Sequence, residues 1–330
     1  VITVAVDAMG GDHAPGVVVE GALQAIAHHD LTVALVGPTA TVEHELARHP
    51  LPPPDRLRIV EAPDVVAMEE SPLAALRRKP KSSIRVAADL VRQGQAQALF
   101  SAGHTGASFL AAHATFGMLD GVERPALAVT VPTPTGAAIL LDAGANVECR
   151  AEHLEQFARL GSAYARVALG LDRPRVGLLS IGEEAGKGND LIREAHTHLQ
   201  RSPVEFIGNL EAREFFTGRA DVIVCDGFTG NIALKVGESL VEAAEAMLRE
   251  EMGAELVTAV GALLARRAFQ RFKRRVDYAA SGGAPLLGIA GLVLVGHGRS
   301  SAKAVQNGVA LAAKLAREDV VAKIRQAFRG

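Results

Sequence analysis

The chain has no tryptophan, two tyrosines and an aromatic content of 4%, so its 330 residues offer few platforms on which unpaired bases stack. A formal net charge of −2 removes any global attraction to a polyanion, and no nucleic-acid partner is expected. Cysteine is nearly absent. Cys149 and Cys225 lack metal-ligand spacing and read as buried small residues of a reducing compartment. There is no paired-histidine metal motif, no dinucleotide fingerprint after the first strand and no G-x-S-x-G elbow, so zinc, nicotinamide and serine-nucleophile chemistry all lose ground. No metal and no cofactor is expected. The apolar start, residues 1–6, is too short for a signal peptide and meets Asp7 at once. One span, 278–298, lacks Asp, Glu, Lys and Arg, but its six glycines and Pro285 suit a loop and then a buried strand at 292–295, not a membrane helix. A soluble, cytoplasmic chain is expected.

Hydrophobic residues at 48% and charged residues at 22% allow a sizeable core, which the scarcity of aromatics makes aliphatic. The chain is organised around residues 220–235, ADVIVCDGFTGNIALK. Val222, Ile223, Val224 and Cys225 form the short apolar run of a strand buried on both faces. The run stops at Asp226-Gly227, passes through Phe228-Thr229-Gly230-Asn231 and enters a helix-compatible segment at Ile232. In an open parallel sheet, ligands bind at the loops that follow the carboxyl ends of strands. Glycines there let the backbone approach a ligand, and the next helix offers free N–H groups to an anion. This sequence repeats the arrangement at least four times.

Strands are predicted at 3–6, 31–36, 57–60, 96–100, 126–131, 138–141, 175–180, 222–225 and 292–295. Helices are predicted at 17–27, 41–48, 82–91, after Gly106, at 151–169, from Asp190, and finally towards Phe328. The alternation implies an α/β fold with a mostly parallel sheet, arranged as one three-layer domain over 1–330. Residues 237–277 break the rhythm with two helices' worth of sequence and no strand. Leu240, Met247, Leu248, Leu256, Val260, Leu263 and Leu264 keep an apolar stripe at helical spacing. The first half of this segment is acidic. The second carries Arg266, Arg267, Arg271, Lys273, Arg274 and Arg275. A projecting helical hairpin is expected, the plainer alternative being a solvated face over ordinary core packing.

Four loops carry residues suited to chemistry. The first holds Asp7, Gly10, Gly11, Asp12 and His13; a tight turn accounts for the glycines but not for Asp12 and His13 beside Asp7. The second reads SAGHTG, in which Ser101, Gly103, Thr105 and Gly106 suit an oxyanion or phosphate, with His104 as a mere helix cap the alternative. The third, GEEAGKGN at 182–189, is one residue short of a nucleotide phosphate loop and has Gly188 where Ser or Thr would bind magnesium. Lys187 between glycines, with Gly188 and Asn189 ahead of a helix, still makes an anion clamp; an exposed lysine in a flexible loop is the alternative. The fourth holds Asp226, Thr229, Gly230 and Asn231. His297 follows the last strand. Several converging anion-binding loops without a covalent nucleophile suit a reaction whose nucleophile is itself an anion, such as phosphate.

Eight ordered motifs add a family resemblance: VDAMGGDHAP (6–15), RRKPKSS (77–83), SAGHTGA (101–107), GANV (144–147), IGEEAGKGND (181–190), DGFTGN (226–231), GGAPLLG (282–288) and HG (297–298). Together they resemble the bacterial phosphate acyltransferases of phospholipid synthesis, over nearly the whole chain. His104 stands where members of that family usually have Asn. The resemblance implies a Rossmann-like fold akin to isopropylmalate dehydrogenases and phosphotransacetylases. It also implies acyl transfer from acyl carrier protein to inorganic phosphate, giving acyl phosphate. A homodimer, peripheral association with the inner face of the plasma membrane, and hand-over to a membrane-bound glycerol-3-phosphate acyltransferase are implied as well. On that reading Lys187 positions phosphate, Asn231, Thr105 or His104 stabilises the oxyanion, and His13 or His297 protonates the departing sulfur. Arg271, Lys273, Arg274 and Arg275 would meet the membrane surface or the carrier protein.

Overall fold

Among the described residues, short apolar runs, several of them ending at glycine or aspartate, form eleven strands, and amphipathic stretches between them form the helices. In chain order these are β1 (Ile2–Asp7), α1 (Gly16–His28), β2 (Leu31–Gly37), α2 (Thr39–Leu46), β3 (Leu57–Glu61), α3 (Pro72–Arg78), α4 (Ser83–Arg92) and β4 (Ala98–Ser101). Next come α5 (Thr105–Phe116), β5 (Ala126–Thr133), β6 (Gly136–Leu141), α6 (Ala151–Ala168), β7 (Arg175–Ser180), α7 (Asp190–Leu199), β8 (Glu205–Glu211) and β9 (Val222–Val224). The chain closes with α8 (Gly227–Gly253), α9 (Leu256–Val276), β10 (Ala284–Leu287), β11 (Val293–Val295), α10 (Ala302–Arg317) and α11 (Val320–Arg329). The computed structural model describes residues 1–49, 54–67, 69–253, 256–276 and 282–329.

All eleven strands join one sheet in the order β3-β2-β1-β4-β11-β10-β5-β6-β9-β7-β8. Pairing is parallel except at the centre, where β11–β10, β10–β5 and β5–β6 are antiparallel. The sheet is therefore two parallel halves running in opposite directions, stitched by β10 and β5. Register then fixes where their carboxyl ends lie. Val6 pairs with Phe100 and Ser101 with Val295, so β1, β4 and β11 end together. Leu141 pairs with Ala128 and Val224, while Leu294 pairs with Pro285. Leu286 pairs with Leu127, which brings Ala128 level with Pro285. The ends of the two halves thus lie about one residue apart along the strands, ~3 Å, and three strand spacings apart across the sheet, about 14 Å. This stagger is what turns both sets of loops towards the middle of the molecule.

Helices cover both faces. One mostly aliphatic core runs beneath α1, α6, α7, α10 and α11, with Val4, Leu35, Leu154 and Val309 among its buried members and Phe157 one of its few aromatics. Two smaller cores line the other face, one under α4 and α5 and one under the base of α8. At Gly21 of α1 a side chain would meet Val305 Cβ of α10 at 2.5 Å, so glycine sets that helix spacing.

Several boundaries differ from the sequence reading. The helix after Asp226 begins at Gly227, not Ile232, because the aspartate caps it. The span expected to be a loop before 292–295 contains β10, paired on both sides; Tyr278 and residues 279–281 lie outside the described residues. The last helix is two, broken at Asp319, whose φ is +49°. Strand β8 and helix α3 were not expected. The 237–277 segment holds most of α8 and all of α9, which pack on each other, with Lys273 Nζ donating to Glu245 Oε2 at 2.9 Å. Residues 254, 255 and 277, and the side chains of Leu256, Val260, Arg274 and Arg275, lie outside what is described.

Candidate active site

The loops after β1, β4 and β11 form one set. Asp7 ends β1 buried, accepting from Ser101 Oγ at 2.7 Å and Met9 N at 3.2 Å. Burial pushes its pKa up, against the hydrogen bonds from Ser83, Ser101 and Met9. Gly103 N donates to Ser101 Oγ at 3.1 Å. A side chain at Gly10 would strike Gly103 N at 2.7 Å and Asp7 Oδ2 at 2.8 Å, so this glycine is required by close approach. Gly11 has φ +113° and leads into Asp12, whose N–H donates to Gly298 O at 2.8 Å. His13 and His297 are exposed, and Arg299 N donates to His297 Nδ1 at 3.2 Å. His104 caps α5, its Nδ1 accepting from Gly106 N at 3.1 Å, so the neutral ring carries its proton on Nε2. Thr105 is exposed beside it. A cavity of ≈ 10 Å³, lined by Asp7, Gly10, Ser83, Ser101, His104 and Ser108 among others, is about the size of one water and too small for phosphate.

The loops after β6, β9 and β7, three neighbouring parallel strands, form the other set. Asp142 is fully buried at its centre. Oδ1 accepts from the N–H groups of Leu127, Gly144 and Ala145 at 2.9–3.1 Å, and Oδ2 from Asn146 N and Nδ2 at 2.7 and 2.8 Å. Burial pushes this carboxyl's pKa up and the donors oppose it. Asp226 caps α8: Oδ1 accepts from Thr229 N and Oδ2 from Thr229 Oγ1, both at 2.8 Å. Asp226 and Thr229 are thereby spent on each other. Gly230 presses on the Asp142 loop, where a side chain would come within 2.0 Å of Asp142 O. Asn231, half-buried as the fifth residue of α8, lies against Gly144, not at the cap.

Lys187 sits in the third loop of this set. Its N–H closes a turn onto Glu184 O at 3.0 Å, and its stem lies over Gly182, where a side chain would meet Lys187 Cγ at 2.9 Å. Gly188 has φ +99°, and Asn189 caps α7 through Ile192 N at 3.0 Å. The neighbouring Glu183 pairs with Arg213 at 3.3 Å and Arg219 at 3.5 Å. Among the described residues no carboxylate forms an ion pair with Lys187, which is exposed two residues before the cap of α7. Both cysteines border this set. Burial pushes Cys149 up to about 12, and Cys225 is raised well above the ordinary thiol value by burial and by Asp226 and Asp142.

The structure therefore unites Lys187, Gly188, Asn189, Asp226, Thr229, Gly230 and Asn231 on one side. It unites Gly10, Gly11, Asp12, His13, Ser101, Gly103, His104, Thr105, Gly106 and His297 on the other. Among the described residues no hydrogen bond joins the two sets. Residues around these loops that lie outside the quoted motifs are Asp142, His196 and Asn209, while Asn146 falls within GANV. Asp142 follows an apolar run as Asp7 and Asp226 do, and that shared pattern was the available signal.

Two antiparallel-linked parallel half-sheets, with anion-suited loops at their staggered carboxyl ends, define an α/β fold of the phosphotransacetylase type. Among solved structures, EutD phosphotransacetylase from Staphylococcus aureus is similar with a TM-score of 0.64 at 17% identity, covering 96% of this chain and 94% of that one. A phosphotransacetylase from Streptococcus pyogenes gives 0.65 with the same identity and coverage. The 4-hydroxythreonine-4-phosphate dehydrogenase fold of Salmonella typhimurium is also similar, at 0.56. The model of the family described as "Fatty acid synthesis protein" matches residues 2–323. A phosphate acyltransferase of Heliobacterium modesticaldum is 46% identical over 327 residues, covering 99% of this chain and 98% of that protein. One of Nitratidesulfovibrio vulgaris is 48% identical over 326 residues, covering 98% and 94%. The chain belongs to this fatty acid synthesis family, the phosphate acyltransferases, as its eight motifs led one to expect.

Proposed function

We propose that this protein transfers a fatty acyl group from acyl carrier protein to inorganic phosphate, forming acyl phosphate for phospholipid synthesis. The observation that carries the reading is the pairing of β7 with β9, which sets the loop of Lys187 beside that of Asn231. Phosphate near neutral pH is already an anion and needs positioning more than deprotonation. Lys187 and the N–H groups at Gly188 and Asn189 hold it. A phosphate oxygen attacks the thioester carbonyl, and the C–O bond forms as the carbonyl π electrons move to oxygen. The Asn231 amide donates to that oxyanion. Collapse of the intermediate breaks the C–S bond, and the sulfur leaves as thiolate or takes a proton from His13 or His297. Asn231 is favoured over Thr105 and His104 as oxyanion donor because it shares a loop set with Lys187.

No described helix is long and apolar enough to cross a membrane. The α8–α9 pair exposes Leu240, Met247, Leu263, Leu264 and Phe272, a surface for a lipid headgroup layer or a second copy of the chain. Arg271 and Lys273 lie on the same pair of helices, and Arg274 and Arg275 follow them. We assign the hairpin to docking at the membrane's inner face, where a glycerol-3-phosphate acyltransferase would receive the product, or to homodimer packing. Incubating acyl-loaded carrier protein with and without phosphate and following the freed thiol tests the chemistry. Phosphate-dependent release supports it, and release at one rate in both conditions defeats it.

A further inference from the structure

Two buried polar side chains with no part in these steps both bear on the loop of Lys187. Asn209 of β8 is 1% exposed and His196 of α7 is 7% exposed. Asn209 Nδ2 donates to Glu184 O at 2.9 Å. A carbonyl oxygen only accepts, so this contact fixes which way the amide points. Oδ1 then faces His196 Nδ1, 2.9 Å away, and because Oδ1 also only accepts, the proton of that contact sits on Nδ1. Phe206 meets the His196 ring edge-on with centroids 5.1 Å apart, which restrains it from a second direction. Glu184 O is the same oxygen that receives Lys187 N at 3.0 Å. Asn209 therefore grips the atom on which the lysine's turn closes. The segment after β8 reinforces the grip, since Arg213 and Arg219 hold Glu183.

We propose that Asn209, oriented by His196, is a positioning residue for the anion site: through the Glu184 carbonyl it places the Lys187 ammonium where phosphate is bound. The inference rests on the reading of Lys187 as a phosphate ligand. A loop of glycines and exposed side chains has little packing of its own, so a hydrogen bond from a buried side chain to its carbonyl bears directly on its position.

The test is direct labelling of the full chain. A limiting amine-acetylating reagent is applied over a range of inorganic phosphate concentrations, and modification of Lys187 is read by peptide mass spectrometry, with no acyl donor present. Phosphate should protect Lys187 in the wild type. Asn209→Asp, which sets an acceptor against the Glu184 carbonyl, should raise the half-protecting phosphate concentration about tenfold. In turnover the KM for phosphate should rise alike while the KM for the acyl donor holds. Because Asn209 is buried, His196→Leu and His196→Gln are measured beside it. The leucine variant should shift protection in the same direction, and the glutamine variant, which keeps an N–H facing Oδ1, should restore it. Wild-type protection that is unaltered in Asn209→Asp and His196→Leu overturns the proposal, and the His196 pair decides alone if Asn209→Asp does not fold. Absence of phosphate protection in the wild type overturns the Lys187 reading instead.

Discussion

At the residue scale, the proposed chemistry rests on side chains that the structure leaves uncommitted. Lys187 has no acidic partner among the described residues, whereas the adjacent Glu183 is neutralised by Arg213 and Arg219. Lys187→Ala should therefore lower turnover about a hundredfold or more, the effect of roughly 3 kcal/mol expected when one charge-stabilising donor is lost. Its melting temperature should stay near wild type, and wild-type turnover at every phosphate concentration would reduce Lys187 to a surface residue. Asn231 gives a sharper separation of roles. Asp226 does the capping, so Asn231→Ala exchanges one interior helix residue for a better helix former and should cost no stability. Activity per folded molecule should still fall; a fall in melting temperature alone would point to a structural role. The cysteines run the other way. With burial pushing the Cys149 thiol up to about 12, very little of it is thiolate at pH 8. Treatment with iodoacetamide at pH 8 should leave turnover unchanged, as should replacing both cysteines by alanine in a well-folded protein. Loss of activity in either experiment would call for an acyl-cysteine step.

At the scale of elements, most of the sheet could be read from short apolar runs ending in Asp or Gly, because strands buried on both faces need no alternating pattern. The elements that escaped lacked that signature. Strand β8 carries Gly208 and Asn209 within its apolar residues, and β10 begins beside two glycines and contains Pro285, so both look like loop. The site was legible where glycines cluster, because close approaches such as Gly10 to Gly103 and Gly230 to Asp142 demand them. It was not legible at Asn209 or His196, which are single polar residues whose meaning comes only from the partner that folding brings. The hairpin elements invite a separate experiment. Lys273 is already paired with Glu245 across α8 and α9, so the basic face is weaker than a count of its residues suggests. Charge reversal at Arg271, Lys273, Arg274 and Arg275 should still weaken flotation with anionic vesicles, as high salt should, since each such residue near a bilayer contributes on the order of 1 kcal/mol. Activity on carrier-bound acyl groups should persist if that face serves lipid, and unchanged flotation would leave it an ordinary solvated surface.

At the scale of the whole molecule, the antiparallel stitch through β10 and β5 is the decisive feature. It reverses one half-sheet against the other and brings their carboxyl ends to within about one residue of each other along the strands, in the middle of the sheet. One set offers cation and amide, the other histidines, in keeping with a reaction that binds an anion and releases a sulfur. In the proposed reaction phosphate itself is the acceptor of the acyl group. The most direct measurement supplies acyl carrier protein loaded with a fatty acyl group together with labelled inorganic phosphate, and looks for label in a hydroxylamine-sensitive acyl phosphate. Wild-type protein should form that product in step with the release of carrier-protein thiol, and Lys187→Ala should form almost none. Thiol release that leaves all the label in inorganic phosphate would show that phosphate is not the acceptor.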